Sequence, residues 1–206
     1  GISNISFICN KLDKNDVIGF DTGPGMCMID RFVNKVWNKQ YDCNGEISKK
    51  GNVNKSMLNY LLKDIYLIKK PPKSTTIESY NMDYVNKIIN KFNNINNYDI
   101  LRTFVNFTSV SIKKNIDLFI SEKNLSNSKI IISGGGIKNM ILFKDFKKQF
   151  KHLEIRKFSL NGLNSDNKES FLMCLLGYTR LKNIPNNIPS VTGAKIETVC
   201  GDLYES

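Results

Sequence analysis

Residues 18–30 read IGFDTGPGMCMID, and how this stretch is understood decides how the rest of the chain is read. A β-like run, residues 17–20, ends on Asp21; glycines at 23 and 25 flank Pro24; an apolar helical face then opens at Met26. An ordinary strand-to-helix turn needs one glycine and one capping residue, and this one carries an acid and two glycines. Glycines let backbone N–H groups approach an anion, and a helix N-terminus adds partial positive charge. Two readings of Asp21 follow. It forms an Asx-turn or caps the helix behind it, or it sits beside a phosphate site and takes a proton from a nucleophile.

Upstream, ISNISFIC and VIGF are short β-like runs joined by the turn-rich NKLDKND, which predicts an antiparallel hairpin. Downstream, Met26, Ile29, Val33, Val36 and Trp37 space one helix, and Met57, Leu58, Leu61, Leu62 and Ile65 a second. KKPPKSTT is a rigid surface connection, because each proline fixes φ and removes a donor. Met82, Val85, Ile88, Ile89 and Phe92 predict a third helix that NNINN breaks; Leu101, Phe104, Val105, Thr108, Ile112, Ile116 and Phe119 predict the longest one. KIIIS then reads as a buried strand, followed by a short helix ending near residue 149 and a strand at LEIRKF. The helix over residues 166–181 carries FLMCLL, apolar on nearly all sides, which predicts a central position. This order is α/β, a mixed sheet covered by helices.

Two further clusters carry chemical interest. In IIISGGGIKN, Gly134, Gly135 and Gly136 follow a strand and precede a helix, so a flat ligand can pass close to the backbone with Asn139 available for polar contacts. A tight turn alone rarely needs three consecutive glycines, which favours a nucleotide site, although this is no dinucleotide fingerprint. In NSDNKES, Asp166 and Glu169 have the spacing of a capping box, a complete structural account. The functional alternative has Glu169 facing a cleft and holding a substrate hydroxyl.

The net charge of +11 raises nucleic acid as a partner, but the basic residues are almost all Lys, and Arg is the residue suited to bidentate phosphate and base contacts. Lys, Asn and Ile rise together, as in NKIINKFNNINN, which points to compositional bias and away from a nucleic-acid face. Cys9, Cys27, Cys43, Cys174 and Cys200 are widely spaced with no C-x-x-C pair, the pattern of reduced thiols in a cytoplasmic protein, with no metal site. His152 lies in the polar run FKKQFKHLE and reads as a surface residue. No apolar run approaches the roughly 18 residues of a membrane span, and the first residues lack a signal-peptide pattern. The chain begins with Gly1 inside a hairpin-like segment, which reads as a fragment.

Taken in order, GISNIS, GFDTGPG, YDCNG, GNVN, PPKST, GGGIKN, KES and PSVTGA resemble the anhydro-N-acetylmuramic acid kinases, sugar kinases of the hexokinase/actin-like superfamily. The resemblance covers essentially the whole chain. It implies a ribonuclease-H-like α/β domain over residues 1–185, truncated at its first strand, with the N-terminal half of the kinase missing and a 186–206 tail that packs toward that half. It also implies use of ATP and Mg²⁺ to open the 1,6-anhydro bridge of a cell-wall sugar and phosphorylate O6, in peptidoglycan recycling. Asp21 falls on the family's water-activating base and Glu169 on its sugar-binding glutamate. Gly134, Gly135, Gly136 and Asn139 would line the adenosine site, and Gly1, Gly23 and Gly25 would border the nucleotide. The implied partners are the sugar and ATP, with no nucleic acid and no membrane, and a homodimer is expected. Met26 stands where the family usually has Asn, and Thr76 and Ile77 where it usually has Gly-Arg. The competing expectation is a non-catalytic relative that keeps the fold as a sugar-binding or interaction module.

Overall fold

The computed structural model describes residues 1–8, 16–126 and 128–204. Strands β1 (Ile2–Ile8) and β2 (Val17–Pro24) pair antiparallel, from Ile2 opposite Pro24 to Ile8 opposite Val17, with a register shift between Ser3 and Asn4. The hairpin read from the sequence is therefore present; Cys9 and all of its NKLDKND turn except Asp16 lie outside the described residues. Helix α1 (Cys27–Trp37) buries Met28, Ile29, Phe32 and Val33 on one face, and ends where Asn38 turns left-handed at φ 52°.

Asparagine caps set the next boundaries. Asn54 accepts from the Met57 amide at 2.9 Å to start α2 (Lys55–Leu61). That helix stops short of Ile65, because Asp64 caps a separate 3-10 turn, Ile65–Ile68. Asn81 caps α3 (Met82–Lys91), and Asn96 caps α4 (Asn97–Phe119), which starts ahead of Leu101 for that reason. The core lies between these helices: Phe32 meets Phe104 edge-on at 5.5 Å and Trp37 at 5.8 Å, with Met57, Leu61, Val85 and Leu101 buried around them.

Beyond a short helix α5 (Glu122–Leu125), β3 (Lys129–Ile132) and β4 (Glu154–Lys157) pair in parallel around α6 (Met140–Gln149). A nearly buried ion pair pins α6 to α4: the Arg102 guanidinium donates to both Asp145 oxygens, at 2.7 and 2.9 Å, and Asn106 adds a bond at 2.8 Å. Its planar fork matches the carboxylate, so the pair fixes orientation as well as contact. The hairpin of β5 (Ser159–Leu160) and β6 (Leu163–Asn164) turns on Asn161 and Gly162, both at positive φ (48° and 86°), as a two-residue turn requires. Helix α7 (Lys168–Leu181) and a one-turn helix α8 (Pro189–Thr192) follow, and α8 packs on β2 with Ser190 Oγ donating to Val17 O at 2.8 Å.

Three expectations are corrected. The strands form three separate two-stranded ladders among the described residues, not one mixed sheet. The first two nonetheless share a cluster, since Ile5 and Phe7 of β1, Ile130 of β3 and Ile155 of β4 all pack around Ile116, Ile120 and Phe150. KIIIS is only half covered, with Ile131 66% exposed. Helix α7 is peripheral: Phe171, Leu172, Met173 and Leu175 are exposed, and none of its residues is buried. Apolar composition drives burial only where a partner surface exists, and among the described residues α7 packs chiefly on β6.

Candidate active site

Helix α4 carries a buried polar stripe, Thr108, Ser111 and Asn115, inside its apolar face. Thr108 Oγ1 donates to Gly25 O at 2.9 Å, and Asn115 Nδ2 donates to Thr22 O at 3.3 Å and Ser111 O at 2.9 Å. From the other side, Thr22 Oγ1 donates to Ser3 O at 3.1 Å. The end of β2 is thus held by its neighbours in both the sheet and the helix layer.

Asp21 is half-buried and gripped three times. Its amide donates to Lys73 O at 3.2 Å, its carbonyl accepts from the Tyr66 hydroxyl at 3.0 Å, and its carboxylate Oδ2 accepts from the Thr75 amide at 2.9 Å. Helix α1 begins without it: the N-cap is Met26, and no side chain caps there. The helix-capping reading of Asp21 therefore falls away. The same residue lines an open cleft of about 570 Å³ with Asn4, Ser6, Gly19, Lys73 and Thr192. A carboxylate that, among the described residues, is oriented by one amide and lines a cleft is equipped to accept a proton.

The surrounding glycines divide by purpose. At Gly25 a Cβ would lie 2.8 Å from Gly1 O, and the Gly25 and Cys27 amides both donate to that oxygen, at 3.0 and 3.2 Å. Gly1 and Gly25 are thus committed to each other by a close approach of β1. Gly23 takes φ 116°, and a Cβ there would meet Leu67 at 3.1 Å. In the second turn, Gly134 (φ 94°) and Gly135 face open space, with nothing within 4 Å of an added Cβ. Gly136 lies against Met26, whose Cγ would be 3.6 Å from an added Cβ, so the two glycine turns are neighbours. Asn139 is buried: its Oδ1 accepts from the Ile141 and Leu142 amides, each at 3.1 Å, and its Nδ2 donates to Asp42 at 3.2 Å. Asp42 in turn accepts from the Ile47 and Ser48 amides. Asn139 fixes where the open turn sits, with both acceptor positions of Oδ1 and one of the two Nδ2 protons engaged.

Glu169 is exposed in the first turn of α7. The capping box does not form. The N-cap is Asn167, which spends its side chain closing the preceding turn, accepting from Asn164 N at 2.7 Å and donating to Gly162 O at 3.1 Å. Asp166 instead meets Lys138 at 3.3 Å, and Lys168 donates to Ser133 Oγ at 2.7 Å, which ties the start of α7 to the glycine turn. The capping-box account of Glu169 falls away, leaving a first-turn carboxylate that complements the helix dipole, with no side-chain contact among those described.

Tyr66, Lys73, Thr75 and Asn115 are the site residues that sequence reasoning missed. Burial holds the Lys73 ammonium down at about 8, with Lys69 adding to the effect and Asp21 and Asp64 opposing it. Burial, with Asp64 nearby, pushes the phenols of Tyr66, Tyr80 and Tyr84 well above the ordinary tyrosine range. Desolvation likewise raises the Asp30 carboxyl and the Cys27 thiol. Among the described residues no three His, Cys, Asp or Glu side chains group to hold a metal ion, and no helix is long and apolar enough to cross a membrane.

The site thus consists of an acid clamped at a strand end that lines an open cleft, and an open glycine turn that packs against Met26 at the start of α1. The chain belongs to the anhydro-N-acetylmuramic acid kinase family, whose model matches residues 1–206. It is 37% identical to the anhydro-N-acetylmuramic acid kinase of Francisella tularensis subsp. novicida (strain U112) over 203 residues, 98% of this chain and 53% of that protein. The kinase of the same name from Clostridioides difficile (strain 630) is 35% identical over 203 residues, 98% of this chain and 53% of its own length. That from Pasteurella multocida (strain Pm70) is 34% identical over 204 residues, 99% and 52%. The chain spans about half the length of the curated relatives it matches.

Proposed function

We propose that this chain is the second lobe of an ATP-dependent kinase that opens 1,6-anhydro-N-acetylmuramic acid and phosphorylates its O6, in cell-wall recycling in the cytoplasm. The observation that carries the reading is the Asp21 carboxylate, oriented by the Thr75 amide and lining the cleft, in a chain of this family. Asp21 takes a proton from the water that attacks the anomeric carbon; the bridge C–O bond breaks, and the freed O6 becomes the phosphoryl acceptor. Glu169, exposed and with no side-chain partner among the described residues, holds a sugar hydroxyl. ATP, when bound with Mg²⁺, supplies the γ-phosphoryl group. The fit of a nucleotide rests on Gly134 and Gly135, whose bare backbone borders open space that a Cβ would fill. Gly136, set against Met26, keeps that turn at the start of α1, and Asn139 anchors it through Asp42.

The domain division belongs to the same proposal, with a ribonuclease-H-like lobe over residues 1–185 and a 186–206 tail running toward the other lobe. Helix α8 rests on β2, while residues 194–198 beyond it are exposed. The test is Asp21→Asn in a protein that joins this chain to the half of the family's length it does not span. Asn keeps the shape and still accepts from the Thr75 amide, so folding and ligand binding hold while kcat drops by roughly 10²–10⁴. Near-normal turnover by the folded variant would sink the assignment.

A further inference from the structure

Lys73 follows the cis Pro71-Pro72 bond and is only 6% exposed, an unusual place for an ammonium ion. Its Nζ donates to Asn115 Oδ1 at 2.6 Å, Tyr66 O at 3.1 Å and Leu67 O at 3.4 Å, which uses all three of its protons. The rings of Tyr66, Phe119 and Phe20 surround it, with centroids at 4.8, 4.9 and 5.5 Å. A neutral residue of the same shape would avoid the cost of desolvating a charge, so the position of the charge calls for a reason.

The partners supply it. Asn115, which accepts from the ammonium, also donates to Thr22 O; Tyr66, whose carbonyl accepts from it, donates its hydroxyl to Asp21 O. The Lys73 carbonyl accepts from the Asp21 amide, and two residues on, the Thr75 amide holds the Asp21 carboxylate. Two of the three acceptors of Nζ, Asn115 and Tyr66, and the lysine's own backbone lead back to residues 21–22. We propose that Lys73 is a positioning residue: its buried ammonium ties the 66–75 loop to α4 and the end of β2, and so fixes the amide that orients the Asp21 carboxylate. This rests on Asp21 as the base, and the test separates the two.

The probe is the Thr75 amide shift of the 206-residue chain, followed with pH in wild type, Asp21→Asn and Lys73→Met. In wild type the amide moves as the Asp21 carboxyl ionises, and in Asp21→Asn that movement vanishes. In Lys73→Met, which keeps the stem and loses the charge, the expected amplitude is less than half of wild type in a spectrum that is otherwise folded. A merely structural lysine would lower the melting temperature and leave the Thr75 titration intact, and a folded variant with full amplitude overturns the proposal. If Lys73→Met does not fold, wild type alone decides. The charged and titratable groups facing Nζ are Lys69, Asp21, Asp64 and Tyr66, and deprotonation of Lys73 itself should shift the Thr75 amide a second time, near pH 8. Titration of Nζ with no second shift at Thr75 overturns it equally. In the family-length protein, Lys73→Met should lower kcat about 10–10²-fold with KM unchanged, the scale of a misplaced catalytic group. Failure of the base assignment reads differently: Asp21→Asn would retain turnover while the Thr75 coupling stayed as described.

Discussion

The surroundings of Asp21 and those of Glu169 are built to different standards. Around Asp21, β1, α4, the 66–75 loop and α8 converge, and backbone and carboxylate are all held. Around Glu169 the residue is exposed, on a helix whose apolar residues are mostly exposed too, tied to the glycine turn by surface bonds from Lys168 and Lys138. A group that must take a proton along one line gains from being held to a fraction of an ångström. A group that holds a substrate can move with it. In the proposed kinase the rigid half carries the chemistry and the loose half carries recognition.

That contrast can be broken, starting with the largest effect. Phe104→Ala opens a cavity between α1 and α4 and should cost about 3–5 kcal/mol in denaturant unfolding of the chain. Glu169→Gln should leave that unfolding midpoint unchanged yet weaken sugar binding by about 1.5–3 kcal/mol in the family-length protein, as for a hydrogen bond to a charged group. Unchanged affinity by calorimetry would return Glu169 to an ordinary surface residue. Asn139→Ala removes the cap of α6 and should cost about 0.5–2 kcal/mol, read as a lower melting temperature.

A pH scan sharpens the picture. Lys73 titrates at about 8 in the folded chain against an ordinary 10.5, so between those values the unfolded chain binds more protons and stability rises with pH. Tyr66, Tyr80 and Tyr84 have folded values raised above the ordinary 10.0, so their contribution is complete below pH 10 and is lost above it. Wild type should therefore climb in melting temperature from about pH 8 toward 10 and then fall, whereas Lys73→Met should show only the fall. The smallest effect belongs to the loose half: Phe171→Ala should change stability by no more than about 0.5 kcal/mol. A loss near that of Phe104→Ala would erase the distinction.

Much of the frame was legible in residue spacing. Helices α1, α3 and α4 declare themselves because each buries one face against its neighbours, and periodicity records that. The hairpin β1–β2, the glycine turns and Asp21 were legible for a similar reason, being local. Hydropathy misplaced β3 and α7, since FLMCLL states a preference for burial and says nothing of what would cover it. The Asn161-Gly162 pair is itself a local hairpin signal, written in the sequence. Lys73 and Asn115 stayed hidden because their partners lie far along the chain; the nearest hint was polar side chains at 108, 111 and 115, recurring every three or four residues on an otherwise apolar face.

The tyrosines gathered on Asp64 give the chain an optical property. Tyr66 bonds Asp21 O, Tyr80 reaches Asp64 at 3.5 Å, and Tyr84 meets Tyr80 edge-on at 5.4 Å. Phenolate absorbs in the near ultraviolet where phenol does not, so these three of the chain's eight tyrosines stay dark in alkali while exposed ones brighten. When Tyr66 brightens, its hydroxyl has given up its proton and with it the bond to the Asp21 carbonyl in β2. The protein thus carries its own indicator dye beside the loop that, in the proposed kinase, orients Asp21.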